Sequence, residues 1–250
     1  MRWKCMVAFD GTDFFGWQSQ AGGNTVQDYI ERRLEVVFKQ PVRIHGCSRT
    51  DSGVHAAGLV FHFDADWSHP VKHLLRALRV GLPKGILITA VRRVPDTFHA
   101  RYSTTGKRYI YRLYEGWASP FESRFTYSLE NRKVDTNKMK QAAMCLVGRH
   151  DFTAFAADRG DESREDPVKE LRRLDVVRRG KSVRIIFEGS GFLYKMARSI
   201  AGALIDVGTG KLAPDHIRTI LESRVRTALV VTAPAQGLTL DKVFYGDGEE

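Results

Sequence analysis

Cysteine is scarce in this chain of 250 residues: Cys5, Cys47 and Cys145 are its only thiols. An odd number, far apart and without CxxC or Cys/His ligand spacing, argues against a disulfide framework and a structural zinc site. Long apolar runs are missing as well. The longest charge-free stretches are 14 residues, and one contains Pro234, whereas a membrane-spanning helix needs about 20 apolar residues. The start, Met1-Arg2-Trp3-Lys4-Cys5, runs on to Asp10 and Asp13 without the apolar core of a secretory signal. A reducing, cytoplasmic setting is expected. H-E-x-x-H, G-x-S-x-G, Walker and G-x-G-x-x-G patterns are all absent, and the eight histidines are scattered. No glycosidase-like pair of carboxylates can be singled out.

The composition is that of a folded globular protein, 43% hydrophobic and 27% charged. Lys and Arg number 39 against 29 Asp and Glu, a net charge of +10. The excess is spread: 13 basic and 9 acidic groups in residues 1–100, 26 and 20 in 101–250. Such a balance suits a polyanionic partner, usually a nucleic acid, but charge alone fits a merely soluble basic protein equally well.

Hydrophobic periodicity organises the chain into two similar halves. Residues 2–10 read as a strand. Residues 26–39 read as a helix with Val26, Tyr29, Ile30, Leu34, Val37 and Phe38 on one stripe, capped by Asn24 or Thr25 and ended by Pro41. Strands follow at 42–48 and 57–64, then a helix opened by Ser68 and Pro70, then a strand at 86–94. The order is βαββαβ, the ferredoxin-like split unit. The second half repeats it: a strand at 107–115, a helix from Asp135 to Leu146, a polar loop over 149–167, strands at 170–178 and 182–190, helices at 192–207 and 214–223, and a strand at 239–245. The expected fold is α+β, with two ferredoxin-like, RRM-like split βαβ halves, mixed and mostly antiparallel sheets, and a catalytic cleft between them. The expected domains are 1–102 and 103–250.

Three segments carry candidate chemistry. The first is Gly46 to Ala56, a polar, glycine-bracketed loop in which Asp51 sits between Arg49 and Gly53. A loop aspartate most often bonds its own turn, and spacing alone favours that reading. The second runs from Phe98 to Arg112. Arg101, Lys107 and Arg108 interleave with Tyr102, Tyr109 and Tyr111, a mixture that neutralises phosphate while a ring stacks on a base. Period-2 geometry puts Tyr109 and Tyr111 on one strand face, which ordinary sheet aromatics also do. The third is Gly189 to Arg198, read as a strand end followed by a helix. Leu193, Met196, Ile200 and Leu204 face a core, while Tyr194 and Arg198, four apart, share another face. Arg198, near the second turn, is placed to reach a carboxylate in the cleft. A surface helix charge is the plainer reading. His55 and His62 read as core or edge residues.

Taken together, these segments closely resemble the TruA family of tRNA pseudouridine synthases over nearly the whole chain. Asp10-Gly11-Thr12, Gly16-Trp17-Gln18-x-Gln20 and His150-Asp151-Phe152-Thr153 add to the resemblance. The family loop Gly-Arg-Thr-Asp-Ala-Gly-Val-His-Ala appears as Ser48 through Ala56, with Ser48 for its glycine and Ser52 for its first alanine. Lys195 stands where Asn or His is usual, and Ala197 where Val is usual. The resemblance implies that Asp51 is the catalytic nucleophile, that Arg198 pairs with it, that Tyr109 stacks on the target uracil, and that Arg49 helps displace the nucleotide. It implies neither cofactor nor metal, a homodimer with each RNA lying across both subunits, and targets on the 3′ side of the tRNA anticodon stem-loop, around positions 38–40.

These residue types suit an isomerisation. A carboxylate serves as a covalent catalyst; attack on uracil C6, attack on ribose C1′ and proton abstraction toward a glycal all remain open. Burial disfavours a charged carboxylate, and a fixed guanidinium opposes that while its planar fork aims the group. Swinging the target out of its stack costs a few kcal/mol, offset by phosphate contacts from Arg49, Arg101, Lys107 and Arg108. Binding is therefore expected to weaken strongly with salt. Two other classes fit the same features: a non-catalytic tRNA-binding or RNA-folding protein, and an RNA uracil N-glycosidase.

Overall fold

A computed structural model describes residues 1–158, 160 and 165–246. Part of the acidic loop at 157–167, namely Arg159 and residues 161–164, lies outside the described residues. The chain forms two compact units, one of Met1–Thr105 with the segment from Leu240, the other of Gly106–Thr239.

The first unit follows the expected order: β1 (Arg2–Phe9), α1 (Val26–Phe38), β2 (His45–Gly46), β3 (His55–Asp64), α2 (Val71–Arg79) and β4 (Ile86–Val94). Thr25 is the cap of α1. Its hydroxyl accepts from Asp28 N while the Asp28 carboxylate accepts from Thr25 N, a reciprocal box that satisfies two orphan donors. β1 runs antiparallel to both β3 and β4, pairing Arg2 with Asp64 and with Val94. Trp3, Cys5, Val7 and Phe9 of β1 and Leu59, Phe61 and Phe63 of β3 are buried in the core. The strand expected at 42–48 shrinks to His45–Gly46, opposite His62 and Phe61. Its first part is claimed by α1 instead: Ile44 N donates to Glu31 Oε1 at 3.1 Å, so that backbone is satisfied without a ladder.

The second unit contains β5 (Thr104–Tyr114), α3 (Pro120–Ser123), β6 (Tyr127–Ser128), α4 (Thr136–Met144), β7 (Gly148–Asp151), β8 (Val168–Arg179), β9 (Ser182–Gly189), α5 (Met196–Gly208) and α6 (His216–Ser223), with β10 (Leu238–Tyr245) leaving it at Thr239. Its strands order β5-β9-β8-β7, antiparallel throughout, with β6 parallel along β5. The class is α+β with a mixed, mostly antiparallel sheet arrangement. β7, paired with β8, was no part of the expected pattern and occupies the start of the polar loop.

Two sequence expectations change. The final strand was assigned to the second domain, but from Leu240 it belongs to the first unit, along β3. Tyr245 explains the destination: its hydroxyl donates to Ala100 O at 2.8 Å and its ring lies 3.9 Å from Lys4 Nζ. The helix expected from Phe192 begins only at Met196, because Lys195 adopts a left-handed conformation at φ 58° and breaks the run. Tyr194 therefore lies before the helix and shares no helical face with Arg198, which sits in the first turn. Among the described residues no helix is long and apolar enough to cross a membrane.

Candidate functional site

In the first unit, the loop from Cys47 to Val54 is shaped by close backbone contact with the segment from Gly11 to Trp17. Trp17 N donates to Thr50 O at 3.2 Å, and Val54 N closes a turn on Asp51 O at 3.1 Å. A Cβ at Gly16, where φ is +83°, would meet Thr50 O at 2.4 Å; one at Gly11 would meet Val54 O at 2.0 Å. Only glycine fits these approaches. Beneath the loop, Trp17 is buried, and a Cβ at Gly46 would lie 2.4 Å from its Nε1. Ser52 Oγ donates to Phe14 O at 3.2 Å. His55, buried as expected, accepts from Gly11 N at Nδ1, 3.0 Å away.

Asp51 is half-buried on this frame, with exposed Arg49 two residues before it. Thr50, between them, is buried, and among the described residues its hydroxyl has no hydrogen-bond partner. Arg101, also in this unit, is exposed, and its backbone N–H donates to His99 Nδ1 at 3.1 Å. His99 is one of three close histidine rings, 4.7 Å from His62, which is 5.0 Å from His45. Burial, reinforced by electrostatic coupling to His99 and by the Arg2 charge, pushes the His62 pKa down to about 4.

In the second unit, β5 carries Tyr109 and Tyr111 on one buried face. Tyr111 is structural: its hydroxyl donates to Pro234 O at 2.8 Å, and Gly237 packs on its ring. Tyr109 meets Phe192 edge-on at 5.0 Å, which brings it to the segment that leads into α5. Lys107 stands half-buried at the start of this part of β5, opposite Gly189. Arg108 was expected to contact phosphate. Its Nε and Nη2 donate to Glu188 Oε2 at 3.0 and 2.8 Å across the ladder, so it already has a carboxylate partner within the sheet.

Arg198 is half-buried in the first turn of α5. Its Nε donates to Ala233 O at 2.8 Å, and Ala233 N donates back to Arg198 O at 3.1 Å. This two-way link holds the base of the side chain. Sequence reasoning missed the frames around both groups. Gly11, Gly16 and Trp17 were noted only as part of a resemblance, and the Val230–Ala233 segment was not noted at all. Among the described residues no group of three or more His, Cys, Asp or Glu side chains could hold a metal ion.

Comparison with known proteins covers both frames. The tRNA pseudouridine synthase family profile matches residues 5–103 and 142–246. The chain is 41% identical over 248 residues to tRNA pseudouridine synthase A of Bacillus subtilis (strain 168), covering 98% of this chain and 99% of that protein. It is 38% identical over 243 residues to tRNA pseudouridine synthase A 2 of Clostridium perfringens (strain 13 / Type A), covering 97% and 98%. It is also 38% identical over 250 residues to tRNA pseudouridine synthase A of Staphylococcus aureus (strain MRSA252), covering 100% and 94%.

Proposed function

We infer the roles of the site residues from the family to which the chain belongs, the TruA family of tRNA pseudouridine synthases. It is an isomerase that converts uridine to pseudouridine in tRNA. The bond from ribose C1′ to uracil N1 breaks, C1′ joins C5, C5 gives up its proton and N1 gains one. No electrons and no external group are needed.

In this reading Asp51 is the nucleophile. The observation that carries it is the loop frame: a half-buried carboxylate on a turn that Gly11 and Gly16 pin through backbone contacts. A group held in this way costs little further ordering when substrate arrives. Arg198 supplies a guanidinium whose planar fork directs the Asp51 carboxylate. Tyr109 supports the uracil while it turns, since a ring face holds a base without fixing its in-plane orientation. Arg49, Arg101 and Lys107 contact phosphates and help hold the target nucleotide out of its stack, with Arg108 in a lesser part because of Glu188. The targets are uridines on the 3′ side of the anticodon stem-loop, around positions 38–40, and the enzyme works in the cytoplasm as a homodimer.

The test is to incubate the purified protein with unmodified tRNA and map pseudouridine by carbodiimide labelling. Modification confined to the 3′ side of the anticodon stem-loop is expected. Free uracil with abasic sites would identify an N-glycosidase, and tight binding without product would identify an RNA-folding protein.

A further inference from the structure

We propose that Arg226 is a positioning residue for Arg198, strapping the Val230–Ala233 segment to the first turn of α5 and so fixing the plane in which the Arg198 guanidinium is presented. Arg226 Nη2 donates to Val230 O and Thr232 Oγ1, both at 2.9 Å. Its Nη1 donates to Ser199 Oγ at 2.9 Å and to the carbonyls of Phe155 and Ala156 at 3.2 Å each. One half-buried guanidinium thus joins three separate stretches of the second unit.

Two of these stretches carry Arg198. Ser199 is its chain neighbour and is fully buried. The strapped segment ends at Ala233, whose carbonyl takes the Arg198 Nε bond and whose N–H returns a bond to the Arg198 carbonyl. The segment also lies hard against the helix: a Cβ at Gly202 would meet Val231 O at 2.0 Å. A shift of Val230–Ala233 therefore moves the acceptor that orients Arg198, and a planar fork loses its aim through small rotations about Nε.

The chemistry of Arg226 fits this work. Its partners among the described residues are neutral oxygens, and burial alone pushes its pKa down. An ion-pairing arginine would be drawn toward one carboxylate, whereas this one distributes its donors over five acceptors on three stretches. Lysine cannot reproduce that, because its donors sit on a single atom.

The inference rests on the role given above to Arg198, and the experiment separates the two. Single-turnover rates on unmodified tRNA, tRNA affinity by filter binding, and melting temperature would be measured for Arg198→Lys, Arg226→Lys, Thr232→Val and the double variants with Arg198→Lys. Arg226→Lys should slow turnover by about 10- to 100-fold and Thr232→Val by about 3- to 10-fold, with tRNA affinity changed less than about twofold. In the Arg198→Lys background each should cost less than about twofold, because residues that act through one group are non-additive. Thr232→Val keeps side-chain volume and carries the test should Arg226→Lys fail to fold. Wild-type turnover in the Arg226 and Thr232 variants, or an undiminished loss in the Arg198→Lys background, would overturn the inference while leaving Arg198 in place. Wild-type turnover in Arg198→Lys would overturn the reading of Arg198 itself, and the strap with it.

Discussion

The two units hold their candidate catalytic groups with different balances of backbone packing and side-chain bonding. The Asp51 loop is fixed by backbone packed on backbone, at glycines where a Cβ would fall 2.0 to 2.4 Å from a carbonyl oxygen. Arg198 is fixed by side-chain donors and a pair of bonds to Ala233. Steric frames fail abruptly, since neither neighbour can give way. Hydrogen-bonded frames fail by degrees, since each lost bond is worth about 1 kcal/mol. The contrast predicts how each half responds to substitution.

The largest effect is expected at Gly16. Gly16→Ala combines a left-handed φ with a backbone clash, and should cost about 3 kcal/mol or more in chemical denaturation and abolish activity. A variant of near-wild-type stability would break the steric half of the contrast. Next comes Arg198→Lys, which keeps charge but loses the fork. Turnover should fall about 100-fold with melting unchanged within a few degrees, and turnover within threefold of wild type would remove the need for a guanidinium.

Two desolvated bases sharpen the comparison further. In the second unit Arg226 keeps its proton, while in the first His62 gives its proton up, its pKa lying near 4 instead of 6.5. The unfolded chain therefore binds a proton below pH 6.5 that the folded one refuses until about 4. The stability contributed by neutral His62 is complete above pH 6.5 and lost as pH falls toward 4, a change of about 3 kcal/mol. Hydrogen exchange between pH 7 and 4 should show β3 losing protection before β8 and β9. Simultaneous loss in both units, or the reverse order, would contradict it.

The smallest effect concerns Lys195. A lysine in the left-handed region costs about 1 kcal/mol that Asn or Gly avoids. Lys195→Asn should raise stability by about 0.5 to 1 kcal/mol with activity retained, read as a higher melting temperature.

Most element cores were legible, because local sequence pattern encodes them: the stripe from Val26 to Phe38 and the apolar run in 57–64 emerge as α1 and β3. Non-local choices were not. Nothing near Val42 announces that Glu31 will take the Ile44 amide, and nothing in Leu240–Tyr245 states which unit it will join. The start of α5 was misplaced because Phe192, Leu193 and Met196 continue an apolar pattern through Lys195, whose backbone conformation leaves no trace in that pattern. As candidates for the site, Asp51, Tyr109 and Arg198 were singled out through motifs. Arg226 was not, since Val225-Arg226-Thr227 reads as an ordinary polar connection and its role exists only once Phe155, Ser199 and Thr232 are folded around it.

The central claim is that the Asp51 carboxylate does the chemistry on a frame that already stands without it. The most direct measurement is single-turnover pseudouridine formation by Asp51→Asn alongside its tRNA affinity. Product should fall below detection, at least about 1,000-fold, with affinity within about threefold of wild type. Product formed at anything near the wild-type rate would show that some other group does this work.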